Sequence, residues 1–404
     1  MCCAPGAGTG ELPESLTVAK VIAAALRRPQ NLCAHVWKTL NAILSCRTPA
    51  LGAHHYRCAD CGLDHLVPHS CRNRHCPDCQ GANAHEWLER QEEDLLPVPY
   101  FHVVFTLPHS LNPLILQNQR AMHSLLFQCA SATLLEFAHN KLGVRPGITT
   151  VLHTWSQTML DHNHLHCIVT GGGLSADGEC WRGIKSNYLF PVRALSVVFA
   201  AKYRDGLKAL YAQGKLEFHG KLAGQSNPCD FARLVRKACR TKWNVYAKRP
   251  FGGPKQVLAY LSLYTHRIAI GNGRILALDT SARTVTFAYK DYADGSKRKA
   301  MTISLDEFLR RFCLHILPSR FVKIRHYGLL ANRGRDARVE RARELIGEPP
   351  PESLPSAVSE LPNEKKPAKA QLTCANCGST RLRLLAVIQP MRTEWKPAPR
   401  IDSS

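Results

Sequence analysis

The spacing of hydrophobic positions changes several times along the chain, and each change marks an element. Residues 16 to 45 (LTVAKVIAAALRRPQNLCAHVWKTLNAILS) set apolar side chains three and four apart, the stripe of an amphipathic helix, and Pro29 divides it into a helical pair. YFHVVFTLP (100 to 108) is a β-branched and aromatic run bounded by prolines and predicts a buried strand. A helical stretch follows at 112 to 141, and VLHTWSQTMLDHNHLHCIVTGGG (151 to 173) predicts strand, turn and strand, ending in three glycines. A further helix is expected from Pro191 to Tyr211. WNVYAKRPFGGP (243 to 254) predicts a strand running into a turn, with Pro254 at the first position of a helix over 255 to 268. Residues 274 to 303 alternate as hairpin strands do, and DEFLRRFCLHIL (306 to 317) returns to a helical period.

Between residues 46 and 85 the texture differs: Cys and His are dense and large aliphatics are few, as in a small module held by metal. Beyond 330 the chain is Arg-rich and then Pro/Glu/Lys-rich to about 370, a linker-like composition. The expected fold class is α+β. Its parts are N-terminal helices plus a small metal-held module over 1–95, a larger unit of strands and helices over 96–330, and a basic, partly disordered tail over 331–404. At 404 residues the chain has room for two or three domains, at roughly 150 residues each.

Charge narrows the partners. Lys and Arg number 53 against 31 Asp and Glu, a formal net charge of +22, and such a field favours a polyanion. No segment approaches the roughly 18 apolar residues of a membrane span, and the start, Met-Cys-Cys-Ala-Pro-Gly, lacks the cationic and apolar regions of an export signal. A soluble, unexported protein is expected, with nucleic acid favoured as its partner over a membrane. Seventeen cysteines without an export signal speak for reduced thiols and metal over disulfides.

Residues 58 to 79 read CADCGLDHLVPHSCRNRHCPDC, so two Cys-x2-Cys pairs stand fourteen residues apart. Chance alone places roughly 0.7 of such a pair in a chain with this many cysteines, whereas two within one short segment match the spacing of a zinc ribbon. Cys58, Cys61, Cys76 and Cys79 are therefore the expected ligands of a structural Zn²⁺, with Cys71, His65, His69 or His75 as possible replacements for one of them. Arg57, Arg72 and Arg74 make the loop basic, which suits phosphate contacts. Cys374-x2-Cys377 is half of another such site with no companion pair near it in sequence, and stays open between metal ligand and unliganded turn.

His162, His164 and His166 stand at period two, so a strand projects all three imidazoles from one face. A triple of this kind has a chance expectation of roughly 0.04, and it predicts a divalent-cation site in which His162 either completes the set or caps the turn. In KQVLAYLSLYTHR (255 to 267), Tyr260 and Tyr264 lie four apart on one helical face. Two such tyrosines are more often core residues, but beside a metal they acquire a chemistry: a phenol can attack a phosphodiester and keep the phosphate as an ester. Its pKa of about 10 means that it needs assistance, which a cation orienting the phosphate provides.

With the histidine strand, the two-tyrosine helix and the zinc module in this order, the chain closely resembles the IS91 family of rolling-circle transposases, in the His-hydrophobic-His endonuclease superfamily. The resemblance runs through CRTPALGAHHYRCADCG, SCRNRHCPDCQ, YFHVVFTLP, HNHLHCIVTGGG, WNVYAKRPF, VLAYLSLYTHRIAI and LPSRFVKIRHYGLLANR. It implies a zinc-binding domain within 1–95, a catalytic domain over 96–330 with a central antiparallel sheet flanked by helices, His164 and His166 as paired ligands of Mg²⁺ or Mn²⁺ with His162 or a group elsewhere completing the site, Tyr260 and Tyr264 as nucleophiles, and a bacterial cytoplasmic, nucleoid-associated location. The implied reaction nicks and rejoins single-stranded DNA at transposon ends through a 5′-phosphotyrosine. The chain departs from the family pattern at Asn163, Leu263 and Gly271. Lys248, Arg249, Lys255 and Arg267, with Trp243 and Tyr246, are the candidates for holding phosphates and unstacked bases beside the catalytic helix, and the basic run from 320 to 343 adds backbone contacts. The same chemistry in a plasmid replication initiator or relaxase, and a non-catalytic zinc DNA-binding regulator, are the competing readings.

Overall fold

The computed structural model describes residues 15–28, 30–80, 94–184, 189–248, 267–347 and 372–391. In chain order the strands are β1 (Ala53–Cys58), β2 (Asp64–Pro68), β3 (Tyr100–Thr106), β4 (Val144–Trp155), β5 (Asp161–Ser175) and β6 (Trp181–Gly183). They continue with β7 (Asn244–Lys248), β8 (Ile275–Asp279), β9 (Thr284–Asp291), β10 (Lys297–Ser304), β11 (Ile324–Gly328) and β12 (Leu382–Ile388). They form three antiparallel sheets: β12-β1-β2, β10-β9-β8, and a central sheet ordered β11-β4-β5-β3-β7 with β6 paired to β5. The architecture is α+β with a central antiparallel sheet flanked by helices, as expected.

Alternation along the long strands decides what each face of the central sheet does. Phe101, Val103 and Phe105 of β3, Leu165, Cys167 and Val169 of β5, and Ile148 and Leu152 of β4 share one face and are buried. Helices Gln119–Leu142, Val192–Ala212 and Pro228–Arg240 cover it, contributing Phe127, Phe199, Tyr203 and Phe231. Each large side chain fully buried in this way contributes about 1.5–3 kcal/mol of transfer free energy. The longest helix ends where Gly143 takes the left-handed conformation at φ 63°. The opposite face carries the histidines, and at its far end Tyr100 and Ile168 pack under helix Arg335–Ile346 through Val339 and Ala342.

A second core joins the N-terminal helices to the other end of the chain. Helix Val18–Ala25, capped by the Thr17 hydroxyl accepting from the Lys20 amide at 3.2 Å, packs with Ala34–Leu44 on Val285 and Phe287 of β9 and on helix Leu305–Leu314. That last helix opens with Ser304 accepting from the Glu307 amide at 3.2 Å. Cys46, Cys76 and Cys79 lie in the same cluster, so the cysteine module rests on this core.

Two features differ from expectation. Residues 335 to 346, read as the start of a basic tail, form a helix packed on the central sheet, because Val339 and Ala342 face the sheet while the arginines around them face outward or bond to carbonyls. Residues 382 to 388 add β12 to β1, so the described C-terminal part of the chain lies in the N-terminal sheet. The predicted helix over 255 to 268 lies outside the described residues apart from its last two. Among the described residues no helix is long and apolar enough to cross a membrane.

The triple glycine closing β5 is required by its neighbours. Gly172 has φ +147°, and a Cβ there would stand 2.5 Å from the Arg182 carbonyl oxygen of β6. Gly172→Ala is expected to destabilise the protein by about 2 kcal/mol or more through strain and overpacking, read as a lower denaturation midpoint. A second expectation concerns acid. Burial pushes His123 and His315 each down to about 4, so the unfolded chain binds protons near pH 6.5 that the folded one refuses. Stability is therefore full above pH 6.5 and falls as pH drops from 6.5 to 4, by on the order of 3 kcal/mol per histidine. Urea titrations between pH 7 and 4 check this, and His315→Gln should flatten part of the slope.

Candidate active site and metal centres

The central sheet builds a cluster of imidazoles from two adjacent strands. On β5, His162, His164 and His166 do share a face, and in the antiparallel pairing of β4 with β5 His153 stands directly opposite His164. His153, His164 and His166 each offer a ring nitrogen, and these nitrogens lie within 4.8 Å of one another. His162 is turned aside: its Nδ1 lies 3.1 Å from Nε2 of His109, and the two rings meet edge to face. The third member of the cluster is thus His153 and not His162, because cross-strand pairing brings side chains closer than a two-residue step along one strand. The sequence does hold a signal for it, a histidine on the partner strand of the predicted hairpin.

Surrounding bonds set which nitrogen faces the cluster. His164 Nδ1 lies 2.7 Å from the His162 carbonyl oxygen, which can only accept, so Nδ1 carries the proton and Nε2 presents its lone pair. His166 Nδ1 lies 2.8 Å from His102 Nε2. Burial, then the neighbouring histidines, lowers His164 to about 3 and His166 well below its ordinary value. Neutral imidazoles crowded in a dry face are poor proton acceptors but good ligands, and three nitrogen donors suit a divalent transition ion. Trp155 stacks on His153 at 4.6 Å and 21°, and Lys323 Nζ stands 5.2 Å over the indole.

Tyr260, Tyr264, Arg249 and Lys255 lie outside the described residues. The positions flanking them are described. Lys248 ends β7 opposite His102 of β3; burial first, and then the Lys248 charge, lowers that histidine to about 3. Arg267 is exposed, its charge lowers both His164 and His166, and its carbonyl accepts from Lys323 Nζ at 2.8 Å. Tyr246 is 55% exposed on β7, whereas Trp243 is buried with its indole N–H donating to the Ala238 carbonyl at 3.1 Å. At Asn163 the side chain accepts from His123 Nε2 at 2.9 Å and donates to Asn112 at 3.2 Å, on the helical side of the sheet.

The cysteines form two clusters where one was expected. Cys46, Cys71, Cys76 and Cys79 come together, and Cys58, Cys61, Cys374 and Cys377 come together. The fourteen residues between the two Cys-x2-Cys pairs contain β2, which runs antiparallel to β1 and carries the chain away from the Cys58–Cys61 turn. It delivers Cys71, Cys76 and Cys79 to the opposite end of the hairpin, where His69 pairs with Gly52 just beyond Cys46. Five residues of strand span about 16 Å, too far for one metal. Cys71 is therefore a member of a set, while His69 bonds the Leu51 carbonyl and His75 accepts the Leu317 amide.

Within the first cluster Cys46 and Cys71 lie 3.6 and 3.7 Å from Cys79. Burial raises Cys46 to about 12, and hydrogen bonding with Cys71, followed by burial, raises Cys76. Four thiolates cannot share this volume unless a cation offsets them, which is the chemistry of a tetrathiolate zinc site. Of the basic residues expected on DNA here, Arg72 is exposed, but Arg74 is spent within the protein. Its guanidinium donates to the carbonyls of Phe321, Pro318 and Leu317, fastening the module to the segment before β11. Arg57 pairs with Asp64 at 2.8 Å.

A family model for the transposase zinc-binding domain of the IS91 type matches residues 18–107, and one described as "Putative transposase" matches residues 147–338. "Putative transposase y4qJ" of Sinorhizobium fredii is 43% identical over 312 residues, 77% of this chain and 78% of that protein. The transposase for insertion sequence element IS801 of Pseudomonas savastanoi pv. phaseolicola is 31% identical over 298 residues, 73% of this chain and 70% of its own. A solved metal-bound conjugative relaxase TrwC in complex with oriT DNA aligns with 63% of this chain and 96% of its own at 13% identity, with a TM-score of 0.24. A transposase zinc-binding domain over 18–107, a transposase model over 147–338, and transposases 43% and 31% identical over 77% and 73% of the chain place it in the IS91 family of insertion-sequence transposases.

Proposed function

We propose that this transposase cuts and rejoins single-stranded DNA at the ends of its element through a 5′-phosphotyrosine, with Tyr260 and Tyr264 as the two nucleophiles, in rolling-circle transposition. The observation that carries the reading is the cluster of His153, His164 and His166, with Lys248 and Arg267 beside it. These two residues flank in sequence the segment that bears both tyrosines. Family membership favours the transposase over a plasmid initiator or relaxase. The neutral histidine cluster favours catalysis over a zinc-only regulator.

In the proposed reaction the phenolic oxygen of one tyrosine attacks phosphorus and the bond from phosphorus to the 3′ oxygen breaks. One end is left as a 3′-OH and the other as a 5′-phosphate esterified to tyrosine, and the phenolic proton balances the one the 3′ oxygen takes up. His153, His164 and His166 would hold a divalent cation, Mg²⁺ or Mn²⁺, which would supply charge neutralisation to the phosphate. Of the two, Mn²⁺ is better suited to three imidazole nitrogens. Arg267 and Lys248 offer charge to the flanking phosphates, and Tyr246 a flat partner for an unstacked base. Lys255, Arg249 and Arg72 are proposed to extend that contact.

Incubating the protein with labelled single strands from the element's two ends and Mn²⁺ is expected to give a covalent adduct on a denaturing gel. Tyr260→Phe/Tyr264→Phe should give none, and each single variant should retain one of the two transfers. His153→Ala or His164→Ala should slow nicking roughly 10²–10³-fold, whereas His162→Ala should cost far less. An adduct that survives loss of both tyrosines would overturn the reading. His102→Ala, which removes the ring bonded to His166, should raise the Mn²⁺ concentration needed for half-maximal nicking about 10- to 100-fold. A Mn²⁺ titration of the variant checks it.

A further inference from the structure

The second cysteine cluster joins the two ends of the chain. Cys58 lies 3.6 Å from Cys377 and Cys61 lies 3.4 Å from Cys374, across 319 and 313 residues of sequence. A disulfide would bring the sulfurs to about 2.05 Å. Four sulfurs at about 2.3 Å from one zinc ion stand about 3.8 Å apart along the edges of a tetrahedron, which is close to the spacing observed.

The two halves are also built alike. CADCG at 58 to 62 and CANCG at 374 to 378 differ at one position. In the first, the Gly62 amide donates to the Cys58 carbonyl at 3.0 Å and the Cys58 amide to the Leu63 carbonyl at 2.9 Å. In the second, the Gly378 amide donates to the Cys374 carbonyl at 2.9 Å and the Cys374 amide to the Ser379 carbonyl at 2.8 Å. Gly62 and Gly378 take the same left-handed conformation, at φ 74° and 73°. A turn repeated in this way, each aiming two sulfurs at the other pair, is the two-knuckle arrangement of a ribbon closed on a metal.

The surroundings support the pairing. β12 pairs with β1 from Ala53↔Ile388 to Cys58↔Leu382, and the Ala59 amide donates to the Arg381 carbonyl at 2.8 Å. Asp60 receives the Arg381 guanidinium at 2.8 Å and the Ser379 hydroxyl, and His65 Nε2 lies 3.2 Å from the Cys374 sulfur, where its N–H can support a thiolate.

We infer that Cys58, Cys61, Cys374 and Cys377 form a second tetrathiolate zinc centre, whose two knuckles are contributed by opposite ends of the chain. This centre fastens residues 372–391 onto the N-terminal module as the third strand of its sheet. The N-terminal sheet is then complete only when the C-terminal segment has been made, and the catalytic domain is enclosed between two halves of one ribbon. The inference does not depend on the phosphotyrosine reading, since it concerns metal content and chain association.

The test compares zinc content of the full chain, purified under reducing conditions, with that of Cys374→Ser/Cys377→Ser. The variant is expected to lose one zinc equivalent and to keep the one bound by Cys46, Cys71, Cys76 and Cys79. Equal zinc in both proteins would overturn the inference, as would a Cys58–Cys377 or Cys61–Cys374 disulfide found by mass spectrometry in the metal-loaded chain. Because the variant could fail to fold, a second measurement keeps all cysteines. A site-specific protease sequence is inserted between residues 350 and 370 and cut after purification. The C-terminal fragment is expected to co-elute with the body in zinc and to separate after a strong chelator. A fragment that remains bound once the metal is gone would overturn the fastening role.

Discussion

The antiparallel ladder between β4 and β5 is the constraint on which the rest of the central sheet domain depends. Because side chains alternate across a strand, this one register sends Leu165, Cys167 and Val169 into the helical core and His164 and His166 to the other face. The same register sets His153 against His164. A slip of one residue would exchange the two sets, placing histidines in an apolar core and leucines on the reactive face. The three glycines closing β5 let β6 and β4 approach at the end of the ladder, and the Gly147 amide donating to the Thr170 hydroxyl at 2.9 Å holds β4 where its own pairing is irregular.

The electrostatic plan follows from burial. In this strongly basic chain Lys248, Arg267 and Arg72 are exposed, while charges drawn inside take structural work. Arg74 bonds three carbonyls before β11, and Arg338 bonds those of Leu329 and Ala331 after it, so guanidinium groups hold both ends of that edge strand. The histidines go the other way: held neutral by burial, they add nothing to the positive field and keep lone pairs for a cation.

The cysteine module shows how a local spacing can mislead. Two Cys-x2-Cys pairs at ribbon spacing read naturally as one site. A strand between them instead separates the pairs to opposite ends of a hairpin, and each pair finds its partners elsewhere: Cys46 and Cys71 for one, Cys374 and Cys377 for the other. Each knuckle was legible; the pairing of knuckles was not, since it depends on where β12 lands. His153 is the same case on the catalytic face. The triple His162, His164, His166 gave the face correctly, but the third member of the cluster is chosen by an adjacent strand.

The amino-acid pattern by itself determined the α+β class, the strands and helices of the central sheet domain that the structure describes, the histidine-bearing strand and the family, because these rest on period, turn residues and short motifs that act within a few residues of one another. Tertiary structure alone decided which cysteines share a cluster, that His153 replaces His162, that Arg74 is turned inward, and that residues 335–346 and 372–391 belong to folded units. Those outcomes turn on contacts between residues as much as 319 positions apart. Closing such distances depends on strand register and core packing, which no local spacing encodes.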